Sequence, residues 1–465
     1  MTSPKGLTRN VADWIVEQGK AALPDEVEHH TRRLMLDHLA GVVASSPGPV
    51  STAVARHAQR LYPGEAATAI GHGRLSILGA ALVNGTNGHG IESDEGYTPG
   101  SMHPTSVIFP AVFAVAQQRD TSFAQVVNAA AIGMELSCRI AAAGHPATRL
   151  RHFHNTAIAG VFGAAAAVAV LYRMEAEEVA NVLGLAGSHA SGLFEFLSSS
   201  AEVKRFHPGK ASRDGIAAAD LVDCGLTGPV TVLEGVDGYF AAYAGECGVD
   251  WHPEVLTNGL GIEWVLSQTY VKPYPCCRHL HGAIDATIEI AVDQDIKPAD
   301  IATVRVGTFG IAARHDGRDL DTVLQSQLSL PYTVALAAVR RGVGLTDFDE
   351  SSRADRDVRA VMDRVEVYVD ADADADYPRS GRPAEVTVVL TDRRTFVRRI
   401  QRPYGEPANP LSDADLEGKA RRLVEPVAGK QAADVLIDAA WNGSDLAILD
   451  VLDGAIHAGA LRSPA

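Results

Sequence analysis

From Val11 to about Asn84 the apolar residues fall three and four apart, in VADWIVEQ, VEHHTRRLMLDHLAGVVAS and VSTAVARHAQRLY. That period gives a helix one buried stripe, so it predicts three helices, the second closed by SPGP. No alternating run competes in this stretch, and no strand is expected there. Further on, SVIFPAVFAVAQQRD reads as a helix that tolerates an internal proline, and FAQVVNAAAIGMELSCRIAAAG as a long buried helix ending at Gly144. Residues 157–200 carry two more helices of small residues, and RDGIAAADLVDCGLTGP a further one that stops at its glycine and proline.

Near residue 265 the texture changes. IATVRVGTFG (301–310), VEVYVDADADA (365–375) and AEVTVVLTDRRTFVRRIQRP (384–403) alternate apolar with polar positions and are rich in β-branched residues. They predict strands, the last a hairpin around TDRR. Helices are expected at GAIDATIEIAVDQD and LPYTVALAAVRRG, and DADADAD reads as an acidic loop. LSDADLEGKARRLVEPVAG and AADVLIDAAWNGSDLAILDVLDGAIHAG return to helical spacing and are expected to pack back on the first domain. The fold class is therefore mainly α with a smaller α+β domain. The large all-helical domain takes residues 1–266 and 405–465, and the α+β domain residues 267–404.

Composition narrows the function. The chain has 465 residues, 46% hydrophobic and only 6% aromatic, which suits closely packed helices of small residues. A net charge of −16 argues against nucleic acid or an anionic membrane as partner, because both need a basic face. An anionic substrate would need a local cationic pocket. The five cysteines (138, 224, 247, 276 and 277) are odd in number and fit a reducing compartment. MTSPKGLTRNVADWIVEQ has no signal-peptide core, and the longest greasy run, AIAGVFGAAAAVAVLY, is short for a membrane span and rich in alanine, so it reads as a buried helix and a cytoplasmic protein is expected.

Four segments mix glycine or proline with titratable groups. HGIESDEGYTPGSMHP (89–104) carries carboxylates and two imidazoles on a stretch too broken for a helix, so they are presented from a loop. In RHFHNTAIAGVFG, His154 directly precedes a helix, whose positive end favours the neutral imidazole a general base needs. EVKRFHPGKASRDG (202–215) sets Lys204, Arg205, Lys210 and Arg213 just before a helix, a natural site for a carboxylate. VKPYPCCRHLHGAIDA gathers Lys272, Arg278, His279 and His281 at a helix entrance, while Cys276, Cys277, His279 and His281 lack the spacing of a structural zinc site. No G-x-S-x-G elbow, Walker A loop or G-x-G-x-x-G after a strand is present.

Taken in order, these segments resemble the MmgE/PrpD family, which includes 2-methylcitrate dehydratases, cis-aconitate decarboxylases and an iminodisuccinate epimerase. NGTNGHGIESDEGYTPGSMHPTSVIFPA is similar to the family's N-G-x-x-x-H-x-x-D-x-D-D segment followed by H-P, and FHNTAIAGVFGAAAAVAVL to its F-H-x-T-x-x-x-G-x-F-G-A-A motif. VKRFHPGKASRDG resembles K-R-x-H-x-G-x-A, KPYPCCRHLHGAID resembles Y-P-C-C-x-x-x-H, and YGEPANPLS resembles G-x-P-x-N-P. The resemblance implies a homodimer with a large helical domain and a smaller lid, an active site between them, and a lyase or isomerase with no cofactor and no metal. It places catalytic positions at His103, His154, Lys204 and His281, with acids at Glu92 and Asp94. Substrate-binding positions fall at Tyr97, Arg205, His207, Lys210, Arg278 and His279. The chain departs from the pattern at Glu92, where the family has aspartate, and in an Asp94–Glu95 pair.

Such enzymes build negative charge beside a carboxylate, so cations such as Lys204, Arg205 and Arg278 are expected where it develops. His103 and His154 are expected to act as the acid/base pair, with His281 orienting or protonating the substrate and Glu92 or Asp94 fixing a histidine tautomer. Two flanking acid/base histidines favour a citrate-type dehydration, with decarboxylation of a cis-aconitate-type substrate, epimerisation of an imino- or hydroxy-dicarboxylate, and an inactive binding dimer as alternatives.

Overall fold

The computed structural model describes residues 6–119, 121–199, 201–245, 248–378, 381–443 and 446–460. Cys247 lies outside them. The protein is mainly α-helical with a smaller α+β unit: one compact unit takes Met1–Gly90, Asp94–Tyr270 and Ser412–Ala465, the other Ile91–Ser93 and Val271–Leu411.

In the first unit the apolar period becomes the helices Leu7–Lys20, Asp25–Ser45, Pro49–Leu61 and Ile77–Gly88, and Thr105–Arg119 runs through its Pro110. Among the described residues one helix is long and apolar enough to cross a bilayer, Phe123–Gly144, but 89% of its most apolar window is buried inside this unit. It is the core helix, started by a capping box between Ser122 and Gln125.

Two glycine crossings set the helix spacing. A Cβ on Gly163 would lie 2.3 Å from the Gly133 carbonyl, so Gly160–Leu171 and Phe123–Gly144 meet backbone to backbone. A Cβ on Gly85 would lie 2.6 Å from Cα of Gly209, which brings Ile77–Gly88 and Val203–Asp223 together in the same way. The helix Asp413–Ala428 packs on Asp25–Ser45, where Lys419 forms a buried ion pair with Asp37, and Arg33 pairs with the partly exposed Asp413 at the start of that helix.

The second unit is built on a four-stranded sheet in the order Val365–Val369, Ile301–Thr308, Ala384–Leu390, Thr395–Ile400. The first pair is parallel and the others antiparallel, with Val389 opposite Thr395 at the TDRR hairpin. Ala384–Leu390 alternates buried and half-buried residues along its length, and His281–Asp293 packs against it.

Four expectations change. Ala67–Ala69 and Gly73–Leu75 form an antiparallel hairpin inside the stretch read as all helix; three residues a side are too few to show alternation, and Gly71 and Gly73 close the turn at φ 84° and 79°. KRFHPGKASRDG lies within the helix Val203–Asp223 instead of ahead of it, because Gly209 serves the crossing with Ile77–Gly88 and does not break the chain. DADADAD contains a short helix, Ala371–Asp376, capped by Asp370. The last predicted helix is two, Lys430–Asn442 and Ala447–Ala460, the first ending at Gly443 with φ 71°.

Candidate active site

In the first unit the helix Ile77–Gly88 delivers His89 at its end. Gly88 is required there, because a Cβ would lie 2.5 Å from the His38 ring. The chain then passes Asp94 and Glu95, both almost completely buried, and reaches His103 just before the helix Thr105–Arg119. Glu95 is the cap of that helix: its carboxylate accepts from the Thr105 backbone N–H at 2.7 Å and from the Thr105 hydroxyl. Burial, then the neighbouring Asp94, push the Glu95 carboxyl up from its usual range.

Asp94 collects donors on one oxygen. Its Oδ2 lies 2.6 Å from Nδ1 of His89, 3.2 Å from Nδ1 of His103 and 3.2 Å from the Ser106 hydroxyl. The same His103 nitrogen also donates to the Glu95 carbonyl. A nitrogen facing two oxygen acceptors carries its proton, so Nε2 is the reacting nitrogen of His103. The His103 backbone N–H is held by the Thr156 hydroxyl at 3.1 Å. The His103 side chain is 16% exposed where that of His89 is 0%, so His103 is the ring of this pair that a solute can reach.

His154 caps Asn155–Ile158, as its place before a helix predicted, and its backbone N–H bonds the Gly192 carbonyl at 3.0 Å. Its Nδ1 meets Nδ1 of His207 at 3.0 Å, so one of the two rings donates and the other accepts. Phe194 and Phe196 stand edge-on to it. The rings form a chain: centroids are 4.9 Å apart for His103 and His89, 6.2 Å for His89 and His154, and 5.2 Å for His154 and His207. Burial, and then neighbouring rings and cations, hold His154 well below its usual range and His207 at about 4. His89 is held at about 4 by burial against the opposing pull of Asp94, with Lys204 lowering it further. These three imidazoles are neutral near pH 7, and the positive charge of Lys204 acts on His89 and His154.

The remaining predicted residues divide. Arg205 pairs with Glu202 at 3.1 Å, and its buried Nη2 has no hydrogen-bond partner among the described residues. Lys210 is bound to Asp214 at 2.7 Å and to the His189 carbonyl, so its charge is locally satisfied. Tyr97 pairs through its backbone with Thr269, and its buried side chain lies in the field of Cys138, Glu135 and Arg139.

In the second unit Glu92 adopts φ 56° and pairs with Lys272, whose Nζ also bonds the Glu92 carbonyl at 3.1 Å. Arg278 and Arg382 share Glu406, and burial of that carboxyl is outweighed by the two guanidinium groups, which hold it below its usual range. Nη1 of Arg278 donates to Nδ1 of His281 at 2.8 Å, and Nε2 of His281 donates to the Cys276 carbonyl at 3.3 Å. Both ring nitrogens of His281 are thus engaged inside this unit. His279 Nδ1 is buried without a hydrogen-bond partner among the described residues.

Sequence reasoning left three groups without a role: His89, which the family's H-x-x-D spacing, H-x-x-E in this chain, could have marked, the Glu95 cap, and His38, whose two ring nitrogens are buried without hydrogen-bond partners among the described residues. Among the described residues His89, Asp94 and His103 have ligand atoms within 4.8 Å of one another, close enough to hold a metal ion. The donor set fits a hydrogen-bonded chain better, because a His103 Nδ1 that donates to the Glu95 carbonyl cannot coordinate.

The chain matches the MmgE/PrpD N-terminal domain over residues 9–252 and the MmgE/PrpD C-terminal domain over residues 274–443. It is 25% identical to cis-aconitate decarboxylase of Homo sapiens, covering 96% of this chain and 94% of that protein. It is 26% identical to cis-aconitate decarboxylase-like protein oryM of Aspergillus oryzae, with 92% of each chain covered. With cis-aconitate decarboxylase of Aspergillus terreus it shares 24% identity, over 91% of this chain and 90% of the other.

Proposed function

The chain belongs to the MmgE/PrpD family, and from that premise we propose that it is a lyase acting on a small tricarboxylate, releasing CO₂, with His103 Nε2 delivering the proton that replaces it. The relatives named as cis-aconitate decarboxylases support the substrate class. The observation that carries the reading is the His103 ring, fixed in one tautomer by Asp94 and the Glu95 carbonyl and more open than its neighbour His89.

The chemistry suits a substrate whose departing carboxylate sits on a carbon next to a C=C bond. As the C–C bond to CO₂ breaks, its electron pair forms a new C=C bond, and the old π pair moves to the carbon beside a second carboxylate. That carbon takes the second ring proton, carried on His103 Nε2, which leaves the imidazole neutral with its remaining proton on Nδ1. Charge rises on an already anionic molecule, so the positive charges of Lys204 and Arg205 favour the step. Behind His103 the neutral His89 is bonded to Asp94, and the neutral His154 and His207 are bonded to each other.

Dehydration, the reading favoured by two flanking histidines, needs one group to take a carbon-bound proton and another to protonate the leaving hydroxyl. His154 is buried and bonded to His207 through Nδ1, which makes a single proton port at His103 the better fit. The test is to incubate the protein with cis-aconitate, citrate, 2-methylcitrate and iminodisuccinate in D₂O and follow products by NMR. The reading expects CO₂ and one deuterium on the carbon beside a carboxylate. Water loss without CO₂, or deuterium exchange without net conversion, would replace it with dehydration or epimerisation.

A further inference from the structure

Within the second unit a thiol and an imidazole face each other outside the chemistry assigned above. Cys277 Sγ lies 3.8 Å from Nε2 of His315. His315 is oriented from behind by a hydrogen bond to the Leu328 backbone, and its own carbonyl accepts from the Leu330 N–H at 2.8 Å. Cys277 is fixed by its N–H on the Gln327 carbonyl at 3.0 Å and by its carbonyl, which accepts from the Leu280 N–H at 3.0 Å. The two groups thus come from rigid segments 38 residues apart. Around them stand Phe309 and Tyr377, stacked at 4.1 Å, and the His279 ring, edge-on to Phe309 at 5.5 Å and stacked on His315 at 6.2 Å. Cys277 is partly exposed, whereas its neighbour Cys276 is fully buried.

A nucleophile beside a base that is itself oriented by a third group is the arrangement that activates thiols. We propose that Cys277 and His315 form a nucleophilic dyad, making Cys277 a covalent-modification site for electron-poor alkenes conjugated to a carbonyl group. The thiolate sulfur bonds to the β-carbon, the alkene π pair moves to the α-carbon, and the imidazolium of His315 gives that carbon its proton. The net change is addition of S–H across C=C, with no oxidant or reductant. The electrostatics agree with the geometry. Burial pushes the Cys277 thiol up, but the facing His315 and its hydrogen bond outweigh this and leave it below its ordinary value. Burial pushes His315 down, and Cys277 with the Leu328 bond carries it above its ordinary value. Glu92 opposes the thiolate, while Lys272, Arg278 and Arg382 surround the adjoining His279, and Tyr377 senses the charge on Cys277. Cys276 and Cys138, fully buried, are pushed up by that burial, and their thiols face no imidazole among the described residues.

The experiment treats the whole protein with substoichiometric N-ethylmaleimide between pH 6 and 8.5 and locates the adduct by fragment-ion mass spectrometry. The exposed Cys224 is the internal reference. At pH 6.5 Cys277 is expected to react at least about tenfold faster than Cys224, with a flatter rise at higher pH. His315→Gln is expected to remove that excess and return Cys277 to the pH profile of Cys224. Labelling of Cys277 no faster than Cys224 in the unaltered protein, preferential labelling of Cys276, or an unchanged Cys277 profile in His315→Gln overturns the proposal. The unaltered protein decides by itself if the variant does not fold.

Discussion

Oδ2 of Asp94 and Nδ1 of His103 stand 3.2 Å apart, and the same nitrogen also donates to the Glu95 carbonyl. The carboxylate therefore sets which nitrogen of His103 bears the proton, and which meets a substrate. Asp94→Asn keeps the shape and offers an amide where an acceptor stood. The expected result is a fall in kcat of about 10²- to 10⁴-fold with little change in KM or in circular dichroism. A kcat within a factor of about three of the unaltered protein would take Asp94 out of the mechanism.

Stability is expected to fall as pH drops from neutral. His30, His38, His89 and His207 are held by burial at about 4, 3, 4 and 4, where an unfolded histidine titrates near 6.5. Below pH 6.5 the unfolded chain takes up protons that the folded chain refuses until about pH 4. The stability these rings contribute is thus complete above 6.5 and is lost as pH falls through the folded values. Each ring removes on the order of 3 kcal/mol across that window. Thermal melts from pH 7.5 to 4.5 should drop steeply, and His38→Phe, which keeps the stacking on Phe109, should make the drop shallower. A flat melting profile over that range would contradict the buried-neutral assignment.

The contact between Ile77–Gly88 and Val203–Asp223 admits no side chain at Gly209. A Cβ there would lie 2.2 Å from the Leu82 carbonyl and 2.6 Å from the Thr86 hydroxyl, so backbone must move. Gly209→Ala should cost about 3 kcal/mol and lower the melting midpoint by roughly 5 °C or more. It should also reduce turnover, since Lys204 and His207 ride on the displaced helix. Calorimetry and kinetics on one preparation check both halves, and an unchanged midpoint would show that the helices have more room than the crossing implies.

The helices are legible in the sequence because apolar residues spaced three and four apart over a dozen positions line up on one face only when the chain is helical, and His154 is legible as the residue before one. The strands of the second unit announce themselves by alternation, as in Ala384–Leu390. The hairpin at Ala67–Leu75 does not, because three-residue strands carry too few positions to beat the helical pattern around them. KRFHPGKASRDG misleads because glycine next to proline looks like a chain break, whereas Gly209 is small to let another helix approach. The role of Glu95 depends on the loop turning back on the start of the next helix, and that of His315 on a partner 38 residues away. Neither relation leaves a local mark in the sequence.

Lys419 and Asp37 are both buried and bonded to each other. Lys419→Ala leaves a carboxylate inside the helical unit without its cation and should cost about 3–5 kcal/mol, whereas replacing both by apolar residues of similar size should restore most of it. Chemical denaturation of the single and double variants measures the difference. Equal stabilities for the two would show that the ion pair carries no coupling.

The central claim is that His103 Nε2 passes the proton in a tricarboxylate lyase reaction. It is tested most directly by following cis-aconitate in D₂O by NMR, with the unaltered protein and with His103→Gln at equal concentration. The expected result is CO₂ release with one deuterium incorporated per turnover, slowed at least about a hundredfold in the variant while its fold is retained. CO₂ release at an undiminished rate in His103→Gln would contradict it.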